Sequence, residues 1–125
     1  KTVLLVEDDE SILELGQSIL EELGYTVLPA ATTDEAISIA AAHEGQINLL
    51  VTDVVMPQMN GRQLAQWLRA EARDMKCIFM SGYPADVIAN RGVLDENVNF
   101  LQKPFSLIEM ASIVRQVLDD ETASA

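Results

Sequence analysis

The chain has 125 residues, 49% of them hydrophobic and 22% charged; that length and balance suit one compact domain with a real core and exclude a disordered chain. The formal net charge of −12 argues against direct nucleic-acid binding, which wants a basic face, and otherwise reads as a solvated surface. A lone cysteine, Cys77, in an apolar run excludes an internal disulfide framework and fits a reducing, cytoplasmic setting.

Residues 2–6 form a short β-branched and apolar run without alternation, the pattern of a strand buried on both faces. These residues read as a strand rather than a signal peptide, and no apolar run approaches the ~20 residues of a membrane span, so no membrane contact by this domain is expected. The opening on Lys1 without an initiator Met suggests a piece of something longer. The first strand ends abruptly in Glu7-Asp8-Asp9-Glu10. Ile12, Gly16, Ile19, Leu20 and Leu23 then recur at three- and four-residue spacing, which predicts a helix over about residues 9–23 stopped by Gly24. Residues 25–28 read as a second strand followed by Pro29, and Thr33 is the expected N-cap of a second helix with Ile37, Ala40 and Ala41 on its apolar face.

Gly45 breaks that helix, and the run Ile47-Asn48-Leu49-Leu50-Val51-Thr52-Asp53 is a third strand ending on a single aspartate, with Pro57 in the loop beyond. Asn60-Gly61 makes a turn before a third helix marked by Leu64, Trp67 and Leu68 and ending near Arg73. Residues 76–80 are a fourth strand closed by Ser81-Gly82-Tyr83-Pro84, and a short, weakly patterned helix covers residues 85–90. Residues 98–101 are a fifth strand leading into Lys103-Pro104-Phe105, and Ser106 caps a last helix whose stripe is Leu107, Met110, Val114, Val117 and Leu118. Residues 1–120 therefore read as one domain and residues 121–125 as a polar tail or linker. Strand and helix alternate five times at intervals of about 20 to 25 residues, which implies an α/β fold: a single (βα)5 domain with a doubly wound, parallel five-stranded sheet, helices on both faces and right-handed crossovers.

In a parallel sheet all carboxyl ends lie on one edge, where open α/β sheets place their ligands. Glu7-Asp8 leave the first strand there, Asp53 the third, Ser81 the fourth and Lys103 the fifth. Singly, each has an ordinary explanation: acids before a helix serve its dipole, Ser and Asp after strands make turns, and a Lys beside Pro is solvated. Their joint placement is harder to explain that way. Clustered carboxylates repel and are retained when a cation neutralises them; oxygen ligands favour Mg²⁺ (or Mn²⁺) over zinc, and the single histidine, His43, lies on a helix away from this edge as a surface residue. An aspartate beside such an ion can attack phosphorus, with Ser81 hydrogen-bonding one phosphoryl oxygen and the Lys103 ammonium neutralising another.

The ordered set Val6-Glu7-Asp8-Asp9-Glu10, Asp53-Val54-Val55-Met56-Pro57, Met59-Asn60-Gly61, Met80-Ser81-Gly82 and Lys103-Pro104-Phe105 resembles the receiver domain of two-component response regulators over essentially the whole chain. The resemblance implies a flavodoxin-like sheet of order 2-1-3-4-5 and makes Asp53 the phospho-acceptor, taking the phosphoryl group from a phosphohistidine on a histidine kinase or histidine phosphotransfer domain. Asp8 would bind Mg²⁺ directly, Glu7 through a water, and the Val55 backbone carbonyl would complete the protein ligands. Ser81 and Phe100 would be the switch pair. The metal pair reads as Glu7/Asp8 or Asp8/Asp9; Glu7/Asp8 is preferred because it directly follows the strand and leaves Asp9 to cap the helix. Phe100 stands where many relatives carry Tyr, so the switch would be read by ring packing. Val55 and Tyr83 occupy the positions that tune dephosphorylation: Val55 cannot orient an attacking water and Tyr83 can shield the phosphorus, which predicts a long-lived phosphoryl group.

Such a domain catalyses its own phosphorylation and dephosphorylation without being a stand-alone enzyme. The competing readings fit less well. A flavodoxin-like cofactor binder would meet repulsion between Glu7-Asp8-Asp9-Glu10 and a phosphate, and a phosphatase of the haloacid dehalogenase type wants a second Asp where Val55 stands. A degenerate receiver that signals as a phosphorylation-independent binding module would not need every chemical position filled. The wording around Ser81 and Lys103 resembles receivers fused to the carboxyl end of hybrid sensor histidine kinases, whose parent protein can be membrane-anchored; a stand-alone regulator and a receiver from a DNA-binding regulator are the other contexts. A receiver dimer, or a fused output or kinase domain, is the further partner expected, on the face of the fourth helix, fifth strand and last helix.

Overall fold

The structure, a computed structural model, describes residues 1–54, 61–71, 75–82 and 99–119. The readings for Val55, Tyr83, the helix at 85–90, Val98 and the tail at 121–125 lie outside the described residues. Within them the chain runs β1 (Thr2–Val6), α1 (Glu10–Glu22), β2 (Thr26–Ala30), α2 (Thr33–Ala42), β3 (Leu49–Asp53), α3 (Gly61–Glu71), β4 (Lys76–Ser81), β5 (Phe100–Gln102) and α4 (Leu107–Asp119). The strands form one parallel sheet of order β2-β1-β3-β4-β5.

Burial follows from that order. All five residues of β3 are buried, as are the last four of β1 and the last five of β4, whereas β2 and β5 lie at the edges and are only partly buried. Side chains on one parity (Val3, Leu5, Leu49, Val51, Ile78, Met80) pack against Ile19, Leu20, Met110 and Val114 of α1 and α4. The opposite parity (Leu4, Val6, Leu50, Cys77, Phe79) packs against Ala36, Leu64, Ala65 and Leu68 of α2 and α3. The period-two pleat of a sheet covered on both faces thus accounts for the unbroken apolar runs. Gly16 lets α1 come close: a Cβ there would sit 3.0 Å from Leu5 Cδ2.

The helix ends are chemically specified. Asp9 caps α1, its carboxylate accepting from the backbone N–H groups of Ser11 and Ile12 at 3.0 and 3.2 Å, and Gly24 adopts a φ of +96° that leads the chain into β2. The cap of α2 is Thr32 rather than Thr33; Thr32 Oγ1 accepts from Glu35 N at 3.1 Å, and Thr33 enters the helix with its side chain buried. Two adjacent threonines offer the same hydroxyl, and the extended backbone of Thr32 decides between them. At α4, Ser106 Oγ accepts from Glu109 N while Ser106 N donates to Glu109 Oε1, both at 3.1 Å, a complete capping box.

Other boundaries move by small amounts. Pro29 lies inside β2, paired with Leu5, instead of ending the strand. Ala30 O accepts from Glu7 N, so Ala30 faces β1 and Pro29 faces away, where the missing N–H costs no ladder bond. Ser81 belongs to β4, and α3 is described over Gly61–Glu71, the expected end near Arg73 lying outside the described residues. His43 is the C-cap of α2 and half-buried rather than a free surface residue, with its Nδ1 2.9 Å from Ile39 O. Replacing Ser106 by Ala should destabilise the domain by about 1 kcal/mol and lower its Tm by about 4 °C, whereas Ser106→Asp should retain most of the stability; thermal melts monitored by circular dichroism check both.

Candidate phosphoryl-transfer site

The chain steps from β1 outward to β2, then returns past β1 to β3 and continues the other way, so the strand order reverses between β1 and β3. Crevices at such switch points are where doubly wound sheets bind ligands. Val6 pairs with Thr52, and the next residues, Glu7 and Asp53, therefore leave the sheet side by side. Both are buried, at 1% and 7% exposure, while Asp8 is exposed. One oxygen from each of Glu7, Asp8 and Asp53 lies within 4.8 Å of the others.

Lys103 closes the group from the far side of the sheet. It follows β5, and its backbone N–H donates to Ser81 O at 2.8 Å, which ties the end of β4 to the lysine. Its Nζ donates to Glu7 Oε2 at 2.8 Å and to Asp53 Oδ2 at 3.3 Å. Val54 N donates to Met80 O at 2.9 Å and steadies the exit of β3. Glu7 Oε1 accepts from Asp9 N at 3.0 Å, so both of its oxygens are engaged. Asp9 turns its carboxylate back onto α1 and stands apart from the three acids.

Electrostatics at this edge are dominated by desolvation. Burial pushes the Glu7 carboxyl up to about 7; the Lys103 hydrogen bond and the Asp9 amide pull against it, and the Asp53 charge adds to the rise. Burial also raises Asp53, opposed by the Lys103 ammonium. For Lys103 burial works the other way, but its hydrogen bond to Glu7 and the charges of Asp53 and Glu7 outweigh it and the ammonium is held above its ordinary range. Three carboxylates face one lysine, so when all are ionised a negative excess remains in a region of low dielectric. Every donor in the group is a carboxylate oxygen, a set that fits a small hard divalent cation such as Mg²⁺.

Ser81, 2% exposed, ends β4 beside this group. Phe100 is not part of the cluster: it opens β5 opposite Phe79, two residues before Ser81's partner Gln102, and packs half-buried on the α2–α3 side. The bridging of both buried acids by Lys103 goes beyond the role expected for it, and no spacing in the chain signals it. Beside Lys103 lies a hollow of about 370 Å³ lined by Ile12, Leu15, Gly82, Pro104 and Phe105. Trp67, expected on the apolar stripe of α3, is 55% exposed at the rim of a separate groove between α2 and α3. Ile47 and Met75 line that groove just before β3 and β4, so it opens at the edge of the sheet away from the acids.

A doubly wound parallel sheet of this strand order, with a lysine-bridged acidic group at its switch point, defines a flavodoxin-like α/β domain. The family model of the response regulator receiver domain matches residues 3–115, and the chain belongs to that family. It is 42% identical over 120 residues to the sensor kinase CckA of Brucella abortus, a match that takes in 96% of this chain and 13% of the kinase. It is 32% identical to the DNA-binding transcriptional regulator NtrC of Azospirillum brasilense, covering 25% of that protein, and 30% identical to the receiver protein CpdR of Brucella abortus, covering 97% of it. Among solved structures, the receiver domain of the hybrid histidine kinase CckA superposes with a TM-score of 0.80 at 33% identity over 94% of this chain and 99% of that one. A CheY-like receiver from Methanospirillum hungatei superposes with a TM-score of 0.79 at 29% identity over 100% of this chain and 98% of that one.

Removing the lysine ammonium leaves two buried carboxylates facing each other. Lys103→Met should destabilise the metal-free domain by about 2 kcal/mol, less than a fully trapped pair would lose, because Glu7 can relieve part of the penalty by taking up a proton. Urea unfolding in the presence of a chelator measures this, and an unchanged midpoint would mean that the bridge contributes nothing.

Proposed function

We propose that this receiver domain accepts a phosphoryl group on Asp53 from a phosphohistidine of a histidine kinase or histidine phosphotransfer domain. The observation that carries the reading is the meeting of Glu7, Asp8, Asp53 and Lys103 at one edge, with the lysine bound to both buried acids. An Asp53 oxygen attacks the phosphorus in line; the P–N bond to the donor imidazole breaks as the new P–O bond forms, and the imidazole takes up a proton as it leaves. Lys103 then exchanges its bond to Asp53 for one to a phosphoryl oxygen, and Ser81 donates its hydroxyl to another.

Asp8 and Asp53 would hold Mg²⁺ (or Mn²⁺), with Glu7 acting through a water and the Val55 carbonyl completing the protein ligands. The engagement of Asp9 as helix cap supports the Glu7/Asp8 pair. Held by these residues, such a cation would supply positive charge against the excess of the carboxylates and the incoming phosphoryl group. Phosphorylation draws Ser81 towards the new phosphoryl group and lets Phe100 turn inward, altering the partner surface around β5 and α4. Val55 and Tyr83 give the acyl phosphate a long life.

The longer protein is proposed to be a hybrid sensor histidine kinase, supported by the likeness to CckA. Residues 1–120 would be its receiver unit, facing the cytoplasm, with residues 121–125 as a tail or linker. Among the described residues no helix is long and apolar enough to cross a membrane.

Loading with a small phosphodonor and Mg²⁺ should add one phosphoryl group, read by intact mass. Asp53→Asn should abolish this, and Lys103→Met should slow it by about 10²-fold. Incorporation into Asp53→Asn at the wild-type rate would place the acceptor elsewhere. Mg²⁺ should raise the Tm of the wild type, an effect largely lost in Asp8→Asn at the same concentration. With beryllium fluoride and Mg²⁺, amide resonances around Asp53, Ser81 and Phe100 should shift in the wild type and not in Asp53→Asn. The phosphorylated form should outlast a chase by minutes or more, and decay within seconds would contradict the roles assigned to Val55 and Tyr83.

A further inference from the structure

We draw no further inference here: the strongest candidate, the apolar groove between α2 and α3 lined by Ile37, Ala40, Ile47, Trp67, Leu68 and Met75, carries none because nothing in the structure shows what covers it.

Discussion

The ammonium of Lys103, shared between Glu7 and Asp53, is the contact on which the candidate site depends. Two carboxylates taken out of water beside each other would each reject a charge, and burial, against the pull of the Lys103 hydrogen bond, leaves Glu7 raised to about 7. One bridging lysine keeps both acids in place without cancelling them, since Asp8 adds a third negative group at the mouth. The residual charge makes the pocket receptive to a hard cation. A site with equal numbers of each sign would be a structural ion pair and nothing more.

The scaffold exists to hold those groups at one edge. Parallel pairing aligns every strand end, the register of Val6 with Thr52 brings Glu7 beside Asp53, and the bond from Lys103 N to Ser81 O brings β5's exit into the same crevice. None of these steps uses a loop alone; each rests on pairing along neighbouring strands of one sheet, and Glu7 and Asp53 leave its buried central strands. Burying Glu7 and Asp53 together works against stability, and the two apolar layers on either face of the sheet offset that cost.

Much of this was readable before any coordinates. Unbroken apolar runs of five or six residues meant strands buried on both faces, and three-four spacing meant helices packed over them, because burial imposes those periods directly. The Ser106–Glu109 box was legible in part, from a serine before the stripe of α4. Other features were not. Whether Thr32 or Thr33 caps α2 depends on which residue keeps extended backbone, and Pro29 could stay in β2 only once β2 was known to be an edge strand. Trp67 matched the period of α3, yet its exposure depends on the gap left beside α2, which no single helix encodes.

The sequence by itself determined the alternation of elements, hence a parallel sheet, and with it the delivery of Glu7, Asp8, Asp53, Ser81 and Lys103 to one edge, because parallel strands admit no other arrangement of their carboxyl ends. It favoured Glu7 and Asp8 beside Asp53, with Asp9 as the helix cap, but gave no sign of what the lysine touches or which acids are buried. Tertiary structure alone decided those contacts: Asp9 satisfies the first amides of α1, whereas Glu7, buried against β2 and β3, has both oxygens engaged by Asp9 N and Lys103 Nζ. The physical reason is that side-chain direction and desolvation are set by neighbours distant in the chain, and a run of like charges carries no mark of which member will be buried.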